Sequence, residues 1–169
     1  MIPPIETLEE FLAHAIAIEH EAVQRYREFE THFASRGEEV LGGLCRNLAT
    51  LEGEHLERLV ESSRDLDLPA IDDHDYRWLG GASPEAPARE LFFRVATRHD
   101  LLTLALRGEE SAQRFFDWVA RTSPVETVRS LAREIAREEA QHVLWLKQAL
   151  GGDSQCKTDT GVACDVNYQ

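Results

Sequence analysis

The chain has 169 residues, 43% of them hydrophobic, which is enough for one domain with a real core and too short for two ordinary domains side by side. Acids outnumber bases 31 to 18, a formal charge of −13, so phosphate backbones and anionic membrane surfaces are repelled and neither nucleic acid nor membrane is an expected partner. Three cysteines exclude a disulfide-stapled secreted scaffold, and no basic region followed by an apolar run opens the chain, so a cytoplasmic protein is expected.

In chain order, Thr7 and Glu10 form a capping box that opens a helix over about 7–34. Ser35 and Glu38 repeat the pattern and predict a helix over about 37–64. From Leu66 to Ala88 the chain carries three of its six prolines and the pair Gly80-Gly81, which reads as a connection. Thr97 to Asp100 cap a helix over about 98–122, with a short helix at 88–96 before it. Ser123-Pro124-Val125-Glu126 starts a fourth helix, about 124–150, ending at Gly151-Gly152. The bundle is thus expected over 1–152. The remaining 153–169 is polar, without helical periodicity, and reads as a flexible or docking tail.

Connection lengths set the topology. The first and second helices, and the third and fourth, are joined by two to four residues, so each pair is antiparallel. The middle connection of about 20 residues reaches ~65 Å when extended, enough to cross a whole bundle. The fold class is therefore all-α: a four-helix bundle of two hairpins joined by a long crossover.

Every apolar stripe is interrupted near its middle. Glu19 breaks the run from Leu8 to Phe33, and Glu52 with His55 breaks the run from Leu41 to Leu59. Glu109 sits between Ala105 and Ala112, and Glu139 with His142 between Ile135 and Leu146. Glu19 lies 16 residues before Ser35 and Glu52 lies 16 after Arg36. Glu109 lies 13 before Thr122 and Glu139 lies 15 after Pro124, so all four carboxylates fall near one height. No Lys or Arg stands on these stripes at that level.

A carboxylate buried alone costs several kcal/mol or more. Four of them facing one core need compensation, and two divalent cations supply it. Residues i and i+3 share a helix face, so the two Glu-x-x-His pairs suit a dinuclear carboxylate site. The hairpins also look like copies of one unit: Leu48-Ala49-x-x-Glu52-x-x-His55 recurs as Ile135-Ala136-x-x-Glu139-x-x-His142.

These residues resemble the rubrerythrin branch of the ferritin-like superfamily, over about 7–150. The resemblance implies a ferritin-like four-helix bundle with two iron ions per chain, manganese being the alternative metal. Glu19 and Glu109 would be ligands from the first helix of each hairpin. Glu52, His55, Glu139 and His142 would be those from the second helices, with Glu52 and Glu139 bridging. It further implies a peroxidase that reduces hydrogen peroxide with electrons from an external donor; a ferroxidase or iron-storage protein using dioxygen at the same site is the second reading. A homodimer or higher homo-oligomer is expected. Two departures stand out. Ala112 occupies the place where rubrerythrins commonly carry an extra glutamate, and no pair of Cys-x-x-Cys knuckles is present, since Cys156 and Cys164 are eight apart.

Tyr26, two turns after Glu19, is the candidate catalytic side chain; its hydroxyl would reach a ligand or bound oxygen species, or it is a core tyrosine with a polar tip. Glu138 is either a hydrogen-bond acceptor that orients a histidine or a solvated residue. Gly108 removes bulk beside Glu109. Glu21 and Glu110 are rejected as ligands on helical phase. Cys45 is expected in the core, and His14, His20, His32, His74 and His99 on the surface or in the linker.

Overall fold

The computed structural model describes residues 2–72, 75–84 and 95–156, with side chains through 152. Four helices make up the order α1 (Leu8–Ser35), α2 (Glu39–Ser62), α3 (Arg98–Thr122) and α4 (Glu126–Cys156), and no described residue is in a strand. None of the described helices is long and apolar enough to cross a membrane.

Two of the expected caps form. Thr7 Oγ1 accepts from the Glu10 amide at 3.1 Å. Thr97 and Asp100 complete a capping box, each side chain accepting from the other's backbone amide. The Ser35–Glu38 box does not form. Ser35 is the last residue of α1 and its hydroxyl donates to the His32 carbonyl, while Glu38 precedes α2 without a side-chain cap. The turn is instead a Schellman motif. Gly37 has φ of 72°, its amide bonds to the Ala34 carbonyl, and the Glu38 amide bonds to that of Phe33. Only a residue without Cβ takes this left-handed conformation at no steric cost, so Gly37 sets the turn.

α4 starts two residues later than predicted and does not stop at Gly151-Gly152. Neither glycine has a positive φ, so neither acts as a C-terminal cap, and helical backbone continues to Cys156. Glycine weakens a helix interior by ~1 kcal/mol without ending it. The expected short helix at 88–96 falls mostly outside the described residues, as do His74, Cys164 and the tail beyond 156; Val95 and Ala96 are not helical.

Two apolar layers fill the bundle. One joins Phe11, Leu12 and Ile18 of α1 to Leu59 of α2, Phe115 and Phe116 of α3, and Val128 and Ile135 of α4. The other joins Tyr26, Phe29 and Phe33 to Leu44, Leu48, Leu101, Leu102 and Leu146. α1 therefore begins in the layer where α3 ends, and α2 ends in the layer opposite to the one where α3 begins. The connection between α2 and α3 must travel the length of the bundle, as its length predicts.

His14 anchors that crossover and is a correction to its expected surface place: it is fully buried. Its Nδ1 bonds to the Glu10 carbonyl at 2.8 Å, and its Nε2 accepts from the Arg77 amide at 3.0 Å. Tyr76, Trp78 and Phe115 surround the ring. Arg77 also pairs with Glu10 at 3.0 Å and donates to the Pro4 carbonyl.

Candidate metal centre

The stripe-breaking residues lie between the two apolar layers. Glu19, Glu52, His55, Glu109 and Glu139 are all buried, and the His142 side chain is 13% exposed. Each helix delivers its share because the i, i+3 spacing turns Glu52 with His55, and Glu139 with His142, to one face. Their ligand atoms fall into three groups, each within 4.8 Å: Glu52 with His55 and His142, Glu19 with His55 and Glu139, and Glu109 with Glu139 and His142. The groups share His55, Glu139 and His142, so they form one continuous cluster of six residues from four helices.

The chemistry of this donor set fits a metal pair. Glu19 Oε1, Glu52 Oε1 and His55 Nδ1 are buried without a hydrogen-bond partner among the described residues. An orphaned buried acceptor carries a desolvation cost that a cation would remove. Carboxylate oxygens and imidazole nitrogens suit iron and manganese alike.

Without metal the cluster redistributes protons. Burial, with the Glu139 charge adding to it, pushes Glu19 up to about 8. Burial and the Glu109 charge likewise raise Glu52 and Glu139 well above the carboxylate range. Glu109 is the exception. Burial pushes it up, but the hydrogen bond to His142 and its other contacts outweigh burial and hold it low. His142 Nδ1 lies 3.1 Å from Glu109 Oε2, and this contact raises the imidazole against the opposing effect of burial. His55 is driven down to about 4 by burial and by its neighbour His142. Without metal, burial thus favours the neutral forms of Glu19, Glu52, Glu139 and His55, while the contact between Glu109 and His142 favours the charged forms of those two.

Tyr26 is buried in the layer next to the cluster, edge-on to Phe29 at 6.3 Å. Burial raises its phenol, with the charges of Glu109 and Glu52 contributing in the same direction. The Arg25 guanidinium lies 4.7 Å over its ring, a neighbour the stripe pattern did not suggest. Ala112 packs in the other layer beside the cluster, one turn from Glu109. Gly108 and Cys45 are buried, and burial pushes the Cys45 thiol up to about 12.

The rejected carboxylates lie elsewhere. Glu110 pairs with Lys147 at 2.9 Å and Glu21 is half-buried, apart from the three groups. Glu138 does not bond a histidine. Its two oxygens accept from Arg58 Nη1 at 3.0 Å and Nη2 at 2.7 Å. Arg58 is the cation the stripes concealed: it stands one turn after His55, outside the cluster but within electrostatic range of Glu19.

Comparison with known proteins agrees with this architecture. The chain matches the Rubrerythrin family over residues 10–78 and 100–161. It is also similar to the crystal structure of an uncharacterized conserved protein from Magnetospirillum magnetotacticum MS-1, at 30% identity and a TM-score of 0.68, covering 86% of this chain and 95% of that one. No curated protein matches it. With the family match spanning most of the chain and a ferritin-like bundle of two hairpins around a Glu/His core, this chain belongs to the rubrerythrin family.

Proposed function

We propose that this chain is a cytoplasmic di-iron oxidoreductase that reduces hydrogen peroxide to water with electrons from an external donor. The observation that carries the reading is the convergence of Glu19, Glu52, His55, Glu109, Glu139 and His142 into one buried cluster with three orphaned polar atoms. Two ferrous ions held there would supply the two electrons that turn one peroxide and two protons into two waters. The chain's own part is to hold and shield. Glu19 and Glu109 present carboxylates from α1 and α3, and the two Glu-x-x-His pairs close the set from α2 and α4. The apolar layers above and below exclude bulk water, which strengthens electrostatic interactions inside. His142 Nδ1 and Glu109 Oε2, 3.1 Å apart, would turn from each other to the cations, giving up any proton they share. The Tyr26 hydroxyl, in the adjoining layer, would be the group that hydrogen-bonds a ligand or a bound oxygen species.

Ferroxidase chemistry is the second reading, with ferrous ions as substrate and dioxygen as oxidant. Ala112 favours it, because a methyl stands where the rubrerythrin pattern commonly has one more carboxylate. Stopped-flow mixing of the anaerobically Fe(II)-loaded protein separately with peroxide and with dioxygen distinguishes the two. Faster oxidation by peroxide is expected. Oxidation by dioxygen at an equal or higher rate overturns the peroxidase reading in favour of the ferroxidase one.

A further inference from the structure

A cavity of about 170 Å³ lies between α2 and α4 and reaches the cluster. Its lining is graded by exposure. Glu19 and His55 are buried, each with a polar atom that has no hydrogen-bond partner among the described residues. Glu134, Glu138 and Arg58 lie toward the surface, and the Arg58 side chain is 58% exposed. Leu59 and Leu131 give it apolar walls. The volume holds roughly five water molecules, room for a partly hydrated divalent ion.

We propose that this cavity is the route by which divalent cations reach the centre, with Glu134 drawing them in and the Arg58–Glu138 pair lying across the mouth as a latch. The proposal rests on the reading of the six residues as a metal centre. Three carboxylates line the cavity against one guanidinium, and that guanidinium is committed to Glu138. What remains is Glu134 at the outer end, whose field the low-dielectric walls focus on an entering cation, and Glu19 at the inner end as the first ligand that the cation meets. An anion would be repelled by the same lining. Neutral peroxide would be indifferent to the charge of Glu134, which separates its passage from that of a metal. Arg58 is exposed enough to swing into solvent, which opens the mouth and frees Glu138 as a second carboxylate on the path.

The test follows Co(II) uptake by the metal-free full chain in stopped flow, read from the visible bands that the ion acquires on entering an imidazole–carboxylate site. Glu134→Gln is expected to slow loading about three-fold at low ionic strength, and Arg58→Gln to speed it by a similar factor. Both differences shrink in high salt, and all these variants still bind two ions per chain. Ser62→Trp, which fills the cavity without changing charge, slows loading at every ionic strength. Glu110→Gln, a carboxylate away from the cavity, loads as wild type does. Wild-type rates for Glu134→Gln, Arg58→Gln and Ser62→Trp overturn the route while two bound ions leave the centre standing. Failure of the wild-type chain to bind Co(II) overturns the centre itself. Wild-type loading in Ser62→Trp, combined with slowed oxidation of its loaded form by peroxide, reassigns the cavity to peroxide and overturns the cation route.

Discussion

His55 and His142 stack face to face, with ring centroids 4.8 Å apart and planes inclined by 16°, although they belong to different hairpins. Each is the last residue of a Glu-x-x-His pair, so equivalent positions of the repeat seen along the chain meet in space. The stack places two imidazoles on one side of the cluster. There burial and the neighbouring His142 hold His55 down to about 4, while the contact with Glu109 shifts His142 the other way, above its ordinary value.

Removing a shared ligand should cost at least one ion. Elemental analysis of the iron-reconstituted wild type should give two metals per chain. Glu139 belongs to two of the three ligand groups, so Glu139→Ala should lower the content to one or none. Glu21→Ala and Glu110→Ala should leave it unchanged. Metal loss in Glu110→Ala but not in Glu109→Ala would show that α3 presents a different face to the core.

The metal-free protein should lose stability as pH rises. Glu19 has a folded pKa of about 8, above its ordinary 4.5. A carboxyl raised on folding stabilises fully below its unfolded value, and that contribution is lost as pH climbs through the folded value. Glu19→Gln, which stays neutral, should therefore be more stable than metal-free wild type near pH 9, by about 1 to 3 kcal/mol. The gap should close toward pH 5. Metal should reverse the order, because the wild type then gains a ligand that the variant lacks. Urea titrations at the two pH values, with and without Mn(II), test this.

His14→Phe should loosen the crossover while leaving the metal centre in place. The ring stacking survives, but the Arg77 amide loses its acceptor and the Glu10 carbonyl a donor. An unmet buried donor costs about 1 to 3 kcal/mol. Burial is the main reason that the His14 pKa lies below 6.5. A histidine lowered on folding stabilises above its unfolded pKa, and the contribution is lost as pH falls through the folded value. The difference between wild type and variant should thus be largest above pH 6.5 and shrink in acid. Exchange of the Arg77 amide hydrogen should be faster in the variant; equal exchange would show that His14 does not hold the crossover.

Ala112→Glu should make stability more metal-dependent. Ala112 is buried beside the cluster, so a carboxylate there without metal costs several kcal/mol. The metal-free melting temperature should fall well below that of wild type. Loading with metal should recover much of the difference, because a glutamate one turn from Glu109 reaches the same centre. Equal drops with and without metal would show that position 112 does not address the ions.

The local pattern in the chain determined the helices and the six clustered residues, because both depend on short spacing. Helical phase follows from steps of three and four, and a carboxylate breaking an apolar stripe is visible in one dimension. Glu19 and Glu109 were separable from Glu21 and Glu110 for the same reason, since one or two positions turn a side chain by ~100–200°. The turn after α1 departs from its local pattern, because Ser35 and Glu38 have capping spacing while Gly37 decides the turn through its backbone conformation. Arg58 and Glu138 lie on two helices and His14 and Arg77 on a helix and a loop, far apart in the chain. No spacing rule links them, because each pair meets only when the bundle closes and the crossover lies down along it. The cavity between α2 and α4 is of the same kind: it is the gap between two packed surfaces, and neither helix contains it alone.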